Sequence, residues 1–357
     1  MKTPEQLPEF SASELLRWQE AGCRLGESPS EFYAALFGRL ADDCDRGDPA
    51  VARLLAHAPM TLNAAPPLRL MGGLHRGVLT GEFVTLAAAW PTPDGAHRGV
   101  VEHAYEEIRR LAADPPASLL DALTRDPQTN EVGRSACLAA GLSQIVAETA
   151  LPVRLFEIGS SAGLNLRLDR YFYSVASSSW GDPNSPLRFD DAHYVGVPPF
   201  HAAPVIVERR GCDIHPIDSA TDVGATTLMS YVWPDQTARI ARLRDALTVA
   251  RAMPVDVDRA SADDWVTEHV VPCAGAVTVL MHSVMWQYMP AVVQQRVADA
   301  VDELGAAASA HAPIAVLEME PIATTVAMEL AITVWPSGER RVVGHGHGHG
   351  PPLTWLA

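Results

Sequence analysis

The 357-residue sequence has little that would tie it to a membrane or to nucleic acid. No window approaches the roughly 20 consecutive apolar residues that a membrane-spanning helix needs. The opening stretch Met1–Phe10 (MKTPEQLPEF) holds no apolar signal core and reads as a loose lead-in. Basic charge is scarce: 27 Lys and Arg stand against 43 Asp and Glu, a net charge of −16. Such a chain repels phosphate backbones and anionic lipid surfaces. Arg239, Arg242 and Arg244 do cluster, but at helical spacing, which reads as a solvated helix face. Cysteine is sparse and odd in number, five residues with no CxxC pair. Cys23, Cys44, Cys137, Cys212 and Cys273 are each expected to be small, semi-buried thiols, which suits a reducing cytoplasm. No internal repeat is visible. The expectation is a cytoplasmic protein with no nucleic-acid or membrane partner, and a homodimer stays open.

Apolar residues make up 48% of the chain, enough to bury a sizeable core in two domains or one large one. Up to about residue 150 the pattern is helical. Ser28-Pro29-Ser30-Glu31 reads as a capping box opening a helix over Glu31–Asp45, with Phe32, Leu36 and Leu40 on one face. Asp48-Pro49 opens another, and Leu68–Leu79, with His75 and Arg76, a third. Shorter helical stretches follow over 82–90, 97–113 and 117–125. The segment QTNEVGR (Gln128–Arg134) begins the last helix, with Asn130 as N-cap and Glu131 and Arg134 three apart on one face. One reading is a surface ion pair. The other is a polar cluster beside a ligand crevice, with Glu131 and Arg134 taking part in catalysis.

From Leu151 the period changes. Apolar runs at Val153–Ile158, Val205–Glu208, Val255–Val257, Ala276–Met281 and Ile314–Met319 read as strands. Helical stretches over 164–171, 235–253, 262–270 and 290–304 alternate with them. Leu330, Ile332 and Val334 alternate along a further strand, and Pro336-Ser337-Gly338 turns it back over Arg340–Val343. Residues 174–203 form a Ser-, Pro- and Gly-rich insertion of the length seen in lids and binding loops. The expected architecture is α/β, a doubly wound, mostly parallel sheet over 151–357, with an all-α domain over 1–150 that covers the substrate.

Ligands of such sheets lie at the carboxyl ends of the strands. The stretch Arg154–Tyr171 is organised for that place: an apolar run ending in Glu157, a small-residue turn Gly159-Ser160-Ser161-Ala162-Gly163, then Leu164, Leu166, Leu168 and Tyr171 as a helix face. Glycines let backbone approach a ligand, and the acid accepts hydrogen bonds from a ribose or an amino group. The plainer alternative is a tight turn with no ligand. The other strand ends carry Asp213, the Ser261–Asp264 turn, His282 and Glu318–Glu320. Asn165 and Asp169 read as cap or surface groups.

This series resembles the core of the class I S-adenosylmethionine-dependent methyltransferases. Glu157–Gly163 resembles that family's acid-x-Gly-x-Gly-x-Gly loop, with Ser161 in place of the middle glycine. Gly211–Pro216 resembles its second acidic motif, so Asp213 is expected to hold the ribose hydroxyls. Ala260–Trp265 resembles the third, with Ser261 or Asp263 at the adenine. The terminal strand pair resembles that fold's closing hairpin. The resemblance implies S-adenosylmethionine as cofactor, bound by Glu157, Gly159, Ser160, Ser161, Gly163, Asp213, Ser261 and Asp263. It puts His282 where a base or substrate contact belongs, since the sulfonium itself activates the methyl group and the protein mainly positions and deprotonates. Taken together, LRLMGGLHRGVLTG, QTNEVGR, GSSAGLNL, RRGCDIHPID, YVWPDQTARIARL and the glycine-histidine end are similar to a bacterial family catalogued as a domain of unknown function.

Two rival readings stay open. His345, His347 and His349 recur at spacing two, a comb that on a strand could hold Zn²⁺, Ni²⁺ or Fe²⁺; interleaved glycines argue instead for a flexible loop. The serine at the middle loop position leaves room for a non-catalytic ligand-binding protein.

Overall fold

A computed structural model describes residues 9–25, 29–322 and 327–356. Among the described residues, seven α-helices precede the first strand's supporting helix: α1 (Ala12–Leu25), α2 (Glu31–Asp45), α3 (Pro49–Leu55), α4 (Pro66–Leu79), α5 (Val84–Ala87), α6 (Val101–Ala113) and α7 (Ala117–Thr124). The chemistry of their starts is local. Ser30 Oγ accepts the Tyr33 amide at 3.1 Å, and Asp48 Oδ1 accepts that of Ala50 at 3.0 Å, with Pro49 opening α3. Ser28, the first residue of the expected capping box, and residues 1–8 of the lead-in lie outside the described residues. α8 (Ser135–Thr149) then leads to strand β1 (Val153–Ile158).

After β1 the sequence predicts a helix, but a 3-10 helix spans Asn165–Arg170. Leu164, Leu166 and Leu168 are all buried, a spacing of two that no single α-helical stripe accommodates. The Tyr171 hydroxyl donates to the Leu164 carbonyl at 2.6 Å, taking an acceptor an α-helix would use. The insertion is also not a bare loop. β2 (Phe172–Val175), β3 (Ser178–Gly181) and β4 (Arg188–Phe189) form a small sheet in the order β3-β2-β4. It is built on Tyr173, whose ring stacks on Trp180 at 5.3 Å and on Phe189 at 5.4 Å. β5 (Tyr194–Val195) follows and joins the main sheet.

The remaining elements are β6 (Ile206–Asp213), α9 (Asp222–Ser230), α10 (Thr237–Ala252), β7 (Val257–Arg259), α11 (Ala262–His269), β8 (Val277–Ser283), α12 (Ala291–Ala307), β9 (Ile314–Pro321), β10 (Met328–Trp335), β11 (Glu339–His347) and β12 (Gly350–Trp355). The nine-stranded main sheet has the order β5-β12-β11-β10-β9-β8-β1-β6-β7. β7, β6, β1, β8 and β9 run parallel; β10, β11 and β12 add antiparallel, and β5 lies parallel to β12. This is a mixed α/β fold with a large, mostly parallel central sheet and helices. The sheet closes with three antiparallel strands rather than the single expected hairpin. Phe156, Ile158, Cys212, Leu280 and Val316 form a core with Trp265, Val266 and Val297 of α11 and α12. α8 packs on β9, β10 and β12.

The chain divides into two compact units, Met1–Thr129 with Asp222–Ala241, and Asn130–Thr221 with Arg242–Ala357. The first is helical, with a core including Phe32, Tyr33, Phe37, Leu70, Leu74 and Trp90. No helix among the described residues is long and apolar enough to cross a membrane.

Candidate functional site

The chain leaves β1 for β6 on one side and later returns to β8 on the other. Where strand order reverses in this way, the carboxyl ends of the two flanking strands open a crevice. The turn after β1 is shaped for close approach. Gly159, Ser161 and Gly163 have φ of 67°, 53° and 65°. Ser161 therefore takes the left-handed conformation a glycine would take, at some cost in strain. Its amide donates to Asp213 Oδ2 at 2.9 Å, and its carbonyl accepts from Ile217 N at 3.1 Å. Asp213 Oδ1 accepts the His215 amide at 2.8 Å. Each oxygen of this half-buried carboxylate thus has one fixed donor and keeps capacity for a second. At Gly211 a Cβ would overlap Ser160 Oγ, so only glycine lets β6 pass this close to the turn.

Glu157 ends the strand beneath the turn. It is 2% exposed, and its Oε2 has no hydrogen-bond partner. Burial pushes its carboxyl well above the usual carboxylate range; the Ser160 hydroxyl works against this, Asp213 adds to it, and Arg134 and Arg167 oppose it. The two acids and two arginines therefore feel one another. Met285 lies over Gly159, with its Cβ 2.9 Å from where a Gly159 Cβ would sit.

Arg167 pins the turn from behind. Its Nε donates to Met253 O at 2.7 Å and its Nη1 to Ala162 O at 3.2 Å and Gly163 O at 2.8 Å. Arg167→Ala strands three carbonyls and should lower unfolding free energy by about 3 kcal/mol, read from the midpoint of urea unfolding.

The QTNEVGR segment is not a capped helix with a surface pair. Asn130 Oδ1 accepts the Leu164 amide at 2.8 Å, tying the segment to the turn. The buried Glu131 carboxylate accepts the Gly133 amide at 3.1 Å and caps a 3-10 helix over Val132–Arg134; α8 starts only at Ser135. Arg134 reaches away, with Nε on Gly348 O at 2.9 Å and Nη1 on Ser283 O at 3.2 Å, the last residue of β8. Ser135 Oγ donates to Asn165 Oδ1 at 2.7 Å. Asn165 is only 1% exposed, so it is no surface group.

The glycine-histidine end is an ordered hairpin rather than a flexible loop. His345 and His347 lie on β11 opposite Thr354 and Gly350, and His349 sits in the turn to β12. At Gly133 a Cβ would overlap the His349 carbonyl oxygen, and one at Gly350 (φ 97°) would overlap the Gly133 backbone. The two glycines are thus where two backbones touch. Among the described residues no three His, Cys, Asp or Glu side chains are placed to hold a metal ion.

His282 belongs to a different neighbourhood. In register, Glu157 lies beside Met281, whereas His282 lies beside Glu318. Alternation then sends His282 to the same face as Leu280, toward α11 and α12, and Glu157 to the other face. There His282 Nδ1 is 2.8 Å from Glu320 Oε1, Nε2 is 3.8 Å from Glu318 Oε2, and the ring lies 5.3 Å from Trp286. Glu320 Oε1 also accepts the Met285 amide at 3.2 Å. Ser261 precedes α11 and its hydroxyl donates to Asp263; Arg296 Nη1 lies 3.2 Å from Asp263 Oδ2, across to α12.

Over residues 13–355 the chain matches the model of a family described as uncharacterized proteins conserved in bacteria (DUF2332). The chain belongs to that family. No curated protein and no solved structure matches it. In this DUF2332 chain, Glu157, Gly159, Ser160, Ser161, Gly163 and Asp213 come together, Arg134 acts on the Glu157 charge, and Glu131 lies in the segment that Asn130 ties to the turn, all within the sheet-bearing unit. His282 faces the other side of the sheet, and Ser261 with Asp263 sits at the start of α11. Sequence reasoning missed Arg167, and it placed Arg242 on a solvated face although its Nη1 lies 3.0 Å from the Gly133 Cβ position. Asp169, read as a surface group, is bound by Arg209 at 2.5 and 2.9 Å.

Proposed function

We propose that this DUF2332 protein is an S-adenosylmethionine-dependent methyltransferase acting on a small molecule. One observation carries the reading: a buried acid with an unsatisfied oxygen, Glu157, beside a second acid with acceptor capacity to spare, Asp213, over a turn of left-handed backbone. A cationic, donor-rich ligand relieves both. Taken in chain order, the parallel strands β1, β6, β7, β8 and β9 read 3-2-1-4-5, a doubly wound order that supports a Rossmann-like, methyltransferase-type core. In this reading Glu157 and Asp213 accept hydrogen bonds from the cofactor, Gly159, Ser160, Ser161 and Gly163 give it backbone room, and Ser261 and Asp263 stand at the adenine side. Bound S-adenosylmethionine supplies an activated methyl group. Glu131 and Arg134 are the candidate groups on the Glu157 side, and His282, held by Glu320 at the carboxyl end of β8, is the candidate base from the opposite face. The proposed location is cytoplasmic.

The test is calorimetry and thermal unfolding with S-adenosylmethionine and its demethylated product. Ligand at 100 times Kd should add about 2.7 kcal/mol to stability. No heat and no rise in Tm overturns the proposal. Asp213→Asn removes charge at the ribose contact and should weaken binding of the demethylated product by about 10-fold or more.

A second reading rests on the face that His282 takes. If the base and the buried acid do not serve one site, the protein binds the cofactor without transferring its methyl group. Binding of the demethylated product together with no turnover across a panel of small-molecule acceptors supports that version.

A further inference from the structure

The helical unit contains polar atoms for which its own folding supplies no partner. Tyr33, His75 and Trp90 are each 1% exposed, and the Tyr33 hydroxyl, His75 Nδ1 and Trp90 Nε1 make no hydrogen bond. Their rings adjoin. The Tyr33 and Trp90 centroids are 5.8 Å apart, and those of His75 and Trp90 are 6.1 Å apart. Phe32 meets Trp90 edge-on at 5.2 Å, and Trp233 lies 6.0 Å from Tyr33. Four stretches that the proposed cofactor site does not use meet here: the start of α2, the His75 turn of α4, Trp90 after α5, and Tyr231–Asp235. Leaving three shielded polar atoms bare is costly, and native proteins rarely do so.

The hydrogen-bond inventory is specific. His75 is held through its other ring nitrogen by the carbonyls of Ser230 and Val232, and burial lowers its pKa to about 4. The ring is therefore neutral near pH 7, and Nδ1 presents a lone pair. Tyr33 and Trp90 present an O–H and an N–H. The carboxylate whose charge Tyr33 feels, Asp235, is already taken by the Ser30 hydroxyl at 2.7 and 2.8 Å and by the Phe32 amide at 3.3 Å.

We propose that this aromatic nest is a second binding site that takes one neutral hydroxyl group, accepting from Tyr33 and Trp90 and donating to His75 Nδ1. A hydroxyl is the smallest group with that inventory: two lone pairs and one proton. An internal water provides it, and so does a small organic alcohol or phenol whose apolar body packs among the rings. Complete shielding means that either guest exchanges only when the helices part.

The discriminating variant is Tyr33→Phe in the full chain, which keeps the ring and removes only the hydroxyl. With a guest in place the variant loses a hydrogen bond, and Tm should fall by about 2–4 °C. Were the hydroxyl bare, the same change would remove an unsatisfied group and raise Tm. The source of the hydroxyl is read on the wild-type protein, so it does not depend on the variant's folding. A long-lived water in ¹⁷O relaxation dispersion identifies water. One equivalent of an organic compound released on denaturation and seen by mass spectrometry identifies an alcohol. A Tm for Tyr33→Phe that is unchanged or raised, or a wild-type protein with neither long-lived water nor organic guest, overturns the proposal.

Discussion

Glu157→Gln is expected to stabilise the protein at pH 8 and to weaken its binding of the demethylated cofactor. The first half follows from burial. The folded protein holds the Glu157 carboxyl well above the ordinary value of 4.5. A raised folded-state pKa means that the favourable, protonated contribution is complete below the unfolded-state value and is lost as pH rises through the folded one. Variant and wild type should therefore differ little near pH 4, and the advantage of the variant should grow through neutrality. Each unit by which the two states differ is about 1.4 kcal/mol, and an unsatisfied buried group alone costs about 1–3 kcal/mol. Urea unfolding at pH 4, 6 and 8 reads the divergence. The second half follows from the missing acceptor: binding falls by about 10-fold or more. Stability gained where binding is lost marks a group kept for a ligand. A variant less stable than wild type at pH 8 would show instead that Glu157 serves the fold.

Gly133→Ala is expected to be among the most damaging small changes in the sheet-bearing unit. The new methyl would overlap the His349 carbonyl, with Arg242 Nη1 and Glu131 Oε1 at 3.0 and 3.1 Å on the remaining sides. The obstacle is backbone, so no rotamer relieves it. Gly350, which a Cβ would drive into Gly133, adopts a φ of 97° that few other residues tolerate. A loss of about 3–5 kcal/mol follows, or about 10 °C in Tm. Gly81→Ala is the control. Like Gly350, and unlike Gly133, it has a positive φ, 75°, but a Cβ there meets nothing within 4 Å, so the change costs only about 1 kcal/mol. Equal losses in the two variants would mean that the hairpin yields and that the glycine contact is dispensable.

These residues also mark how far the sequence could be read. The buried runs that became β1, β8 and β9 announced themselves, because a strand shielded on both faces must be continuously apolar. The residues that follow such strands were findable for the same reason, and Glu157, Gly159 and Asp213 do stand together. Side-chain facing was not findable. Whether Glu157 lies beside Met281 or beside His282 depends on register, which the chain does not spell out. Nor was the meeting of Gly133 with Gly350, a backbone contact between distant segments with no side chain to hint at it. The leucines at 164, 166 and 168 did carry a usable signal, since spacing of two is foreign to an α-helix. The small sheet around Tyr173 was hidden because its three rings sit at irregular intervals among serines and prolines.

The helical unit is discontinuous: it borrows Asp222–Ala241 from beyond the first half of the sheet-bearing unit. A gene fragment ending at Thr129 would encode α1–α7 yet lack the carbonyls of Ser230 and Val232 that fix His75 and the carboxylate of Asp235 that receives Ser30. On the ribosome, the helices must wait for residue 241, by which time β1 through β6 have already been made. Neither half can be duplicated, swapped or inherited as a contiguous cassette, so recombination is constrained to move the chain whole.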